Sequence, residues 1–291
     1  MKLVTYLLNR ESRLGAVRGE EIVDLTAVAP DMLAIIEAGP AVLARAAEHV
    51  ETAVSALSLA EATLLAPIPV PRRNIMCLGL NYVEHARESY SARGQETTIP
   101  DFPIVFTKAT TAVTGPYEVI PYNPDVSTKI DWEAEMGLII GRSGKNIAPE
   151  EAMSYVFGYT VINDVSARDL QVQHKQYFKG KSLDGSCPMG PWITTADEVP
   201  APHSLDITSR VNGVTKQASN TSLMIFDVPA IIYHLSRGMT LLPGDVIATG
   251  TPSGVGFARN PPEFLAPGDI VECEVRGLGV LRNTLARELA L

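Results

Sequence analysis

The sequence predicts an α+β protein that is mainly β, with a small α+β domain at its N-terminus. Two observations lead to this prediction. Short runs rich in β-branched and aromatic residues recur along most of the chain, and few stretches have the apolar period of a helix. Strands and helices also do not alternate regularly, which argues against a Rossmann fold or a TIM barrel and favours a mixed, mainly antiparallel sheet.

The small N-terminal domain is expected to span residues 1–65. Residues 2–25 are typical of two strands around a polar turn. The segment 31–57 has helical spacing of apolar residues, with Asp31 as the expected N-cap and Gly39–Pro40 as a break.

A larger second domain is expected to span residues 75–291, after a linker at residues 66–74 that contains three prolines. Helices are expected in PEEAMSYV and in DVPAIIYHLSRG. The runs typical of strands are NIMCLGL, PIVFTKA, YEVIPY, WEAEMGLIIG, VFGYTVIND, PWITTA, LDITSRVNG, DVIATG and DIVECEVRGLGVLRNTL.

Composition and charge narrow the classes of function. The chain has 291 residues, of which 46% are hydrophobic and 20% are charged, as in ordinary globular proteins. Its formal net charge of −9 argues against nucleic acid and membrane surfaces as partners. Three scattered cysteines, an N-terminus unlike a signal peptide and no apolar run of membrane-spanning length together predict a cytoplasmic protein.

Two glutamates in a strand-like run are the first candidate site. Glu133 and Glu135 stand two residues apart, so on a strand both carboxylates point to the same face. Asp164 ends the next strand-like run and can complete a triangle of oxygens. Three carboxylates without Cys or His suit Mg²⁺, Mn²⁺ or Ca²⁺ rather than zinc. The alternative is a pair of surface glutamates bound to Lys or Arg.

A histidine and a glutamate three residues apart form the second candidate site. Asn81 is the expected cap of a helix that begins near Tyr82, and this helix places His85 beside Glu88. A carboxylate bound to one ring nitrogen makes the other nitrogen a better base. The alternative is an exposed pair on a solvated helix. The polar segment 89–98 is interpreted as a lid.

Several cationic and polar side chains form a candidate anion pocket. Arg168, Gln171, Lys179 and Lys181 follow the predicted ligand Asp164 closely. Lys181 and Gln171 can hydrogen-bond a carboxylate or a developing enolate, whereas Arg168 and Lys179 have solvated surface positions as the alternative. Lys108, in a strand-like run, fits a surface role as well as a role in the site.

A glycine-rich loop after a predicted strand is the last candidate. The stretch PGDVIATGTPSGVG contains Thr251 and Ser253. Backbone amides and a hydroxyl group in such a loop can hold a carboxylate, although an ordinary hairpin turn has the same pattern.

Read together, these motifs resemble the fumarylacetoacetate hydrolase superfamily over residues 72–285. The resemblance rests on the order of N-Y-x-x-H-x-x-E, E-x-E, N-D-x-[ST]-x-R-D-x-Q, K-x-x-D-x-x-x-P-x-G-P and P-G-D-x-I-x-T-G-T-P-x-G-V-G. It implies a mixed β-sandwich roll, usually dimeric, so a homodimer is expected.

The resemblance also implies the roles of individual residues. A divalent ion, usually Mg²⁺ and alternatively Mn²⁺ or Ca²⁺, is held by Glu133, Glu135 and Asp164. The catalytic residues are His85, Glu88 and Lys181. The residues assigned to substrate binding are Gln171, Arg168, Tyr82, Gly250 and Thr251, with the loop around Thr251 receiving the carboxylate of the pyruvyl group.

The activity implied first is hydrolysis of a C–C bond in a 2,4-diketo acid, such as an acylpyruvate, fumarylpyruvate or a 2,4-diketo-3-deoxy sugar acid. The products are pyruvate and a carboxylic acid, and His85 deprotonates the attacking water. The superfamily is catalytically mixed, however. The alternatives are decarboxylation of an oxaloacetate-type acid, isomerisation of a 2-hydroxymuconate or 2-hydroxyhepta-2,4-diene-1,7-dioate, and dehydration of a sugar acid. A metal-binding protein without activity is the non-enzymatic alternative.

Overall fold

Strands dominate the architecture, as the sequence predicts. The computed structural model describes residues 1–287, so the last four residues of the expected catalytic domain, 288–291, lie outside the described residues. The strands are β1 (Lys2–Leu8), β2 (Glu11–Arg18), β3 (Glu21–Asp24), β4 (Leu57–Ser58), β5 (Thr63–Leu64), β6 (Ile75–Gly79), β7 (Ile104–Lys108), β8 (Val113–Thr114), β9 (Val119–Tyr122), β10 (Ile130–Asp131), β11 (Ala134–Ile140), β12 (Val156–Asn163), β13 (Ser166–Ala167), β14 (Cys187–Thr195), β15 (Asp206–Val211), β16 (Val214–Asn220), β17 (Val246–Ala248), β18 (Ile270–Val275) and β19 (Gly279–Arg287).

The helices are short and few in the described chain. The α-helices are α1 (Met32–Ala38), α2 (Pro40–Thr52), α3 (Val83–Ala92), α4 (Arg168–Gln173), α5 (Phe178–Lys181) and α6 (Val228–Ser236). Segments of 3₁₀-helix lie at Leu59–Glu61, Thr110–Ala112, Pro149–Tyr155, Ala196–Glu198, Thr221–Leu223 and Gly256–Ala258. No helix of the described residues has both the length and the apolar character needed to cross a membrane.

Two sheets pack face to face, which confirms the predicted β-sandwich. The larger sheet has the strand order β4-β3-β2-β1-β14-β12-β11-β17-β6-β7, with β5 beside β1 and β8 beside β14, and the smaller sheet has the order β16-β15-β18-β19-β9. Most pairs are antiparallel, and three are parallel: β8 with β14, β6 with β17, and β9 with β19. Met136 and Leu138 of β11 share one apolar core with Ile207 of β15 and Val271 of β18.

The N-terminal segment continues the larger sheet. Strand β1 pairs with β14, with Leu3 opposite Ile193. Leu3, Ile35, Ile75 and Ile193 belong to the same buried core. The larger sheet contains strands from both sides of the segment 66–74. The linker assigned to this segment stays a prediction.

The sequence predicted where helices begin more accurately than where they end or which type they are. Asp31 caps α1 by accepting from the Ala34 amide at 2.8 Å. Helix α2 ends at Thr52, five residues before the expected end, and the segment 149–155 is 3₁₀ rather than α.

Candidate active site

Three carboxylates meet where β11 begins and β12 ends. Glu133 directly precedes β11, Glu135 is its second residue, and Asp164 follows β12. The two strands are antiparallel neighbours, so the start of one lies beside the end of the other, and the Asp164 amide donates to the Glu133 carbonyl at 2.9 Å. One oxygen from each carboxylate lies within 4.8 Å of the others, and each residue is at most 5% exposed. The structure therefore brings the three predicted metal ligands together.

A separate donor fixes one oxygen of each carboxylate. The donors are a guanidinium, an ammonium and a backbone amide. The contacts are Arg168 Nη2 to Glu133 Oε1 at 2.6 Å, Lys108 Nζ to Asp164 Oδ1 at 2.7 Å, and the Gly250 amide to Glu135 Oε2 at 2.7 Å. Lys108 and Arg168 are buried, so both belong to the site and neither has the surface position that was the alternative.

The second oxygens of Glu133 and Asp164 share one donor. Lys181 Nζ donates to Glu133 Oε2 and to Asp164 Oδ2, both at 2.7 Å. Glu135 Oε1 is buried and has no hydrogen-bond partner among the described residues. A buried carboxylate oxygen without a donor is costly to desolvate. This unpartnered oxygen and the all-oxygen ligand set fit a hard divalent cation held by Glu133, Glu135 and Asp164.

The electrostatics of the two glutamates differ because their neighbours differ. Burial alone would raise the pKa of Glu133, but Lys181 and Arg168 outweigh it and hold that pKa below its usual range. For Glu135, burial and the charges of Asp164 and Glu133 raise the pKa well above its usual value. Glu135 is thus the carboxylate with the most to gain from a nearby cation.

The predicted histidine–glutamate pair is formed. His85 Nδ1 lies 2.9 Å from Glu88 Oε1 in the first turns of α3, and the Gly254 amide donates to Glu88 Oε2 at 2.9 Å. A carboxylate acceptor at Nδ1 places the ring proton there, which leaves the Nε2 lone pair for a ligand. His85 is 5% exposed, so the pair is not the solvated surface pair of the alternative interpretation.

A cavity opens beside this pair and the carboxylate cluster. Its walls combine apolar residues with cationic and polar ones. The lining residues are Leu78, Gly79, Leu80, His85, Ser89, Arg93, Phe106, Glu133, Arg168, Gln171, Tyr177, Lys181, Thr251 and Phe257. The cavity therefore joins predicted catalytic residues with predicted substrate-binding residues.

Two residues assigned to substrate binding do not line this cavity. The Gly250 amide is bonded to Glu135, and Tyr82 is buried with a hydroxyl group that has no partner in the described chain. Thr251 does line the cavity, but its hydroxyl group donates to the Ala134 carbonyl at 2.8 Å and accepts from Gln217 at 2.7 Å. Contacts of all three residues with substrate stay predictions.

The glycine-rich loop binds carboxylates of the protein itself. Besides the amides of Gly250 and Gly254, those of Gly256 and Phe257 donate to Asp131 at 2.7 and 3.0 Å. Asp131 also accepts from Arg168 Nε at 2.8 Å. One loop thus anchors a predicted metal ligand, the partner of His85 and the partner of Arg168.

Asp131, Phe106 and Phe257 are site residues that sequence reasoning missed. Asp131 stands two residues before Glu133, so the alternating pattern of that run was a signal for it. The guanidinium of Arg168 lies 4.4 Å from the centre of the Phe257 ring, and Lys181 Nζ lies 5.1 Å from that of Phe106. The two rings have no signal in sequence, because their contacts join distant segments.

The expectation that Asn81 caps α3 is wrong. Tyr82 is the N-cap residue and makes no side-chain cap bond. The Asn81 side chain instead donates to the carbonyls of Phe226 and Thr249 at 3.0 and 2.7 Å, and accepts from the Phe226 amide at 2.8 Å. The Thr249 carbonyl is buried and the Phe226 groups are partly buried, so Asn81 joins the start of α3 to the end of β17 and to the segment before α6.

Replacing Asn81 with Ala is expected to lower the free energy of unfolding by about 2 to 4 kcal/mol, because three hydrogen bonds are lost and buried peptide groups stay unpaired. Urea denaturation checks this value. The matched control is Asn74→Ala, which loses one exposed bond to Thr107 and is expected to change the same free energy by less than about 0.5 kcal/mol. Equal losses in the two variants would contradict the prediction.

The fold and the arrangement of the site are those of one protein family. The family model of the fumarylacetoacetate hydrolase C-terminal region matches residues 74–286. The chain belongs to the fumarylacetoacetate hydrolase family, as its motifs indicated.

Relatives with curated names point to one reaction type. The chain is 47% identical over 228 residues to oxaloacetate tautomerase YisK of Bacillus subtilis, covering 78% of this chain and 74% of the relative. It is 41% identical over 293 residues to the mitochondrial oxaloacetate tautomerase FAHD2A of Homo sapiens, covering 97% and 91%.

Solved structures show the same fold. A putative HpcE protein from Mycobacterium smegmatis aligns with a TM-score of 0.86 at 36% identity over 99% of this chain and 100% of its own. A maleylpyruvate hydrolase from Sphingobium sp. SYK-6, solved with manganese(II) and pyruvate, aligns with a TM-score of 0.81 at 30% identity and the same coverage. These relatives support the isomerase-type alternative of the sequence analysis better than its first expectation of C–C hydrolysis, which they support at the level of the superfamily.

Proposed function

We propose that this protein is a metal-dependent tautomerase that interconverts the enol and keto forms of oxaloacetate or a closely related 2-oxo diacid. The observation that carries the proposal is that His85, with a free Nε2, lines the same cavity as Glu133 and Lys181. A proton carrier therefore faces the place where an oxo acid would meet the carboxylate cluster. The two tautomerases among the relatives support this choice of reaction.

The lining of the cavity suits an anionic substrate. Lys181 supplies an ammonium group, and Gln171 supplies an amide nitrogen that no protein acceptor holds in the described residues. The rings of Phe106 and Phe257 also line the cavity, and apolar walls that exclude water strengthen such polar contacts.

Tautomerisation moves one proton between C3 and the 2-oxygen of the substrate. Towards the enol, His85 Nε2 removes the C3 proton and the resulting imidazolium gives it to the 2-oxygen; towards the keto form the same proton moves from the 2-oxygen through Nε2 to C3. Glu88 holds the Nδ1 proton and stabilises the imidazolium that forms. Lys181 Nζ hydrogen-bonds the oxygen on which negative charge develops. A divalent ion held by Glu133, Glu135 and Asp164 would supply Lewis-acid stabilisation of the same charge.

A keto–enol assay tests the proposal. With Mg²⁺ or Mn²⁺ present, the protein is expected to accelerate conversion of enol-oxaloacetate to the keto form. The loss of enol absorbance measures this conversion. Removing the ion with EDTA is expected to lower the rate by about 100-fold or more, because the developing charge loses its main stabilisation. A rate equal to the uncatalysed one, or one unaffected by EDTA and by added metal, would contradict the proposal.

Hydrolysis of an acylpyruvate is the second candidate. The His85–Glu88 pair can also activate a water, and the maleylpyruvate hydrolase from Sphingobium has the same fold. A panel of acylpyruvates, maleylpyruvate and oxaloacetate under one set of conditions separates the two candidates. Release of pyruvate from an acylpyruvate, with a kcat/KM above that for oxaloacetate tautomerisation, would favour the hydrolase.

We also propose that Mg²⁺ is the resident ion and that the protein acts as a homodimer on a small anionic substrate. The manganese in the Sphingobium relative supports a divalent ion of this kind. Metal analysis of protein purified without added ions and sedimentation analysis test the two points.

A further inference from the structure

Lys181 occupies the position that an added cation would also seek. Arg168 and Lys108 hold the outer oxygens of Glu133 and Asp164, and the Lys181 ammonium lies 2.7 Å from the inner oxygen of each. Glu135 Oε1, an oxygen of the third carboxylate, is buried and has no donor in the described chain. The ammonium of Lys181 is therefore the cation that bridges the inner oxygens of Glu133 and Asp164.

The backbone keeps Lys181 close to this position. Lys181 ends the four-residue helix α5 and is 2% exposed. The preceding residue is Gly180, and a Cβ there would overlap the backbone of Gln171, so α5 lies directly against α4. Since the backbone is held, the ammonium can leave the carboxylates by rotation of its own side chain.

The ammonium group of Lys181 also borders the cavity. Lys181 is one of the residues that line it, and Nζ lies 5.1 Å from the centre of the Phe106 ring on the cavity wall. An ammonium that turns from Glu133 and Asp164 meets the space in which an anion would bind. The face of an aromatic ring is a favourable neighbour for a cation during that movement.

We propose that Lys181 is an internal counter-cation that competes with the divalent ion for the inner oxygens of Glu133 and Asp164. Without the ion, its charge offsets the repulsion among three buried carboxylates. Once the ion is bound, like charges at this separation repel, and the ammonium is directed to the cavity. Metal therefore binds before the anionic ligand and prepares its site, and by linkage each raises the affinity for the other.

The competition predicts that removing the ammonium strengthens metal binding. Lys181→Met keeps the length of the side chain and its apolar stem. It is expected to bind Mn²⁺ at least tenfold more tightly than the wild type in titration calorimetry, because one buried positive charge next to the ion is removed. Lys181→Arg keeps the charge and is expected to stay within about threefold of the wild type.

Lys179→Met is the matched control, because Lys179 belongs to the same helix but is exposed and makes no ion pair with the described carboxylates. It is expected to leave the Mn²⁺ affinity unchanged. If Lys181→Met binds Mn²⁺ as the wild type does, or more weakly, the competition is overturned.

A second measurement covers the case in which Lys181→Met does not fold without metal. The variant is then purified with Mn²⁺, and the rate of metal release to a chelator is measured. Release at least tenfold slower than from the wild type supports the competition, and release at an equal or higher rate overturns it. Neither measurement involves turnover, so they test Lys181 whether or not the protein is a tautomerase.

Discussion

Replacing His85 with Gln is expected to lower kcat for the proposed oxaloacetate tautomerisation by about 10²- to 10⁴-fold. The amide of Gln can keep a hydrogen bond to Glu88, but it cannot accept the C3 proton and return it. The affinity for Mn²⁺ and for pyruvate is expected to change little, because His85 does not contact Glu133, Glu135 or Asp164 through any described hydrogen bond. Stopped-flow measurement of enol decay gives kcat, and calorimetry gives the two affinities.

His49→Gln is the control for this variant. His49 belongs to α2 in the N-terminal segment and does not line the cavity. Its kcat is expected to equal that of the wild type. A His85→Gln enzyme that retains more than about a tenth of the wild-type kcat would assign the proton transfer to another group.

Replacing Asp131 with Ala is expected to lower the free energy of unfolding by about 3 to 5 kcal/mol. Asp131 is fully buried, and it accepts from Arg168 and from the amides of Trp132, Gly256 and Phe257. Its removal leaves a buried guanidinium with one carboxylate fewer and three amides without an acceptor. Urea denaturation of the metal-free protein measures the loss.

Two further variants bracket that result. Asp131→Asn keeps one acceptor oxygen and is expected to lose less than Asp131→Ala. Glu274→Ala removes a partner of Arg210 in a partly exposed ion pair and is expected to cost about 0 to 1 kcal/mol. A loss for Asp131→Ala as small as that for Glu274→Ala would show that Arg168 finds a replacement partner.

The parts of the site that the sequence predicted depend on short-range spacing. Glu133 and Glu135 share a face because side chains alternate along an extended chain, and His85 meets Glu88 because the two are three apart on a helix. Each rule acts within one element, so it holds before the tertiary structure is known.

The rest of the site depends on contacts between distant segments. Lys108 reaches Asp164 across 56 positions, and Asp131 meets Gly256 across 125. For Lys108 the sequence left a surface role and a site role equally open, because spacing carries no information at this range. The expectation that Asn81 caps α3 was wrong for the same reason. Its side chain binds backbone groups 145 and 168 positions away instead of the nearby helix amides.

The fold, like the site, was predictable where it depends on a single element and not where it depends on contacts between distant segments. Strands were found because each carries its own pattern, but the pairing of β1 with β14 joins residues that no local pattern relates. Likewise, the 3₁₀ geometry of 149–155 replaces an expected α-helix in a segment whose propensity alone favoured the helix.

The loop of residues 250–257 makes the site sensitive to substitution at its glycines. Three of its four anchoring contacts use the peptide N–H groups of Gly250, Gly254 and Gly256, and a Cβ at any of these positions would overlap neighbouring atoms. The vulnerable positions are those where any side chain is excluded. Gly254 is one, because its φ is +107° and a Cβ would overlap the Lys216 carbonyl. Side chains that line the cavity can therefore diversify during evolution while the scaffold that orients the acidic groups stays the same.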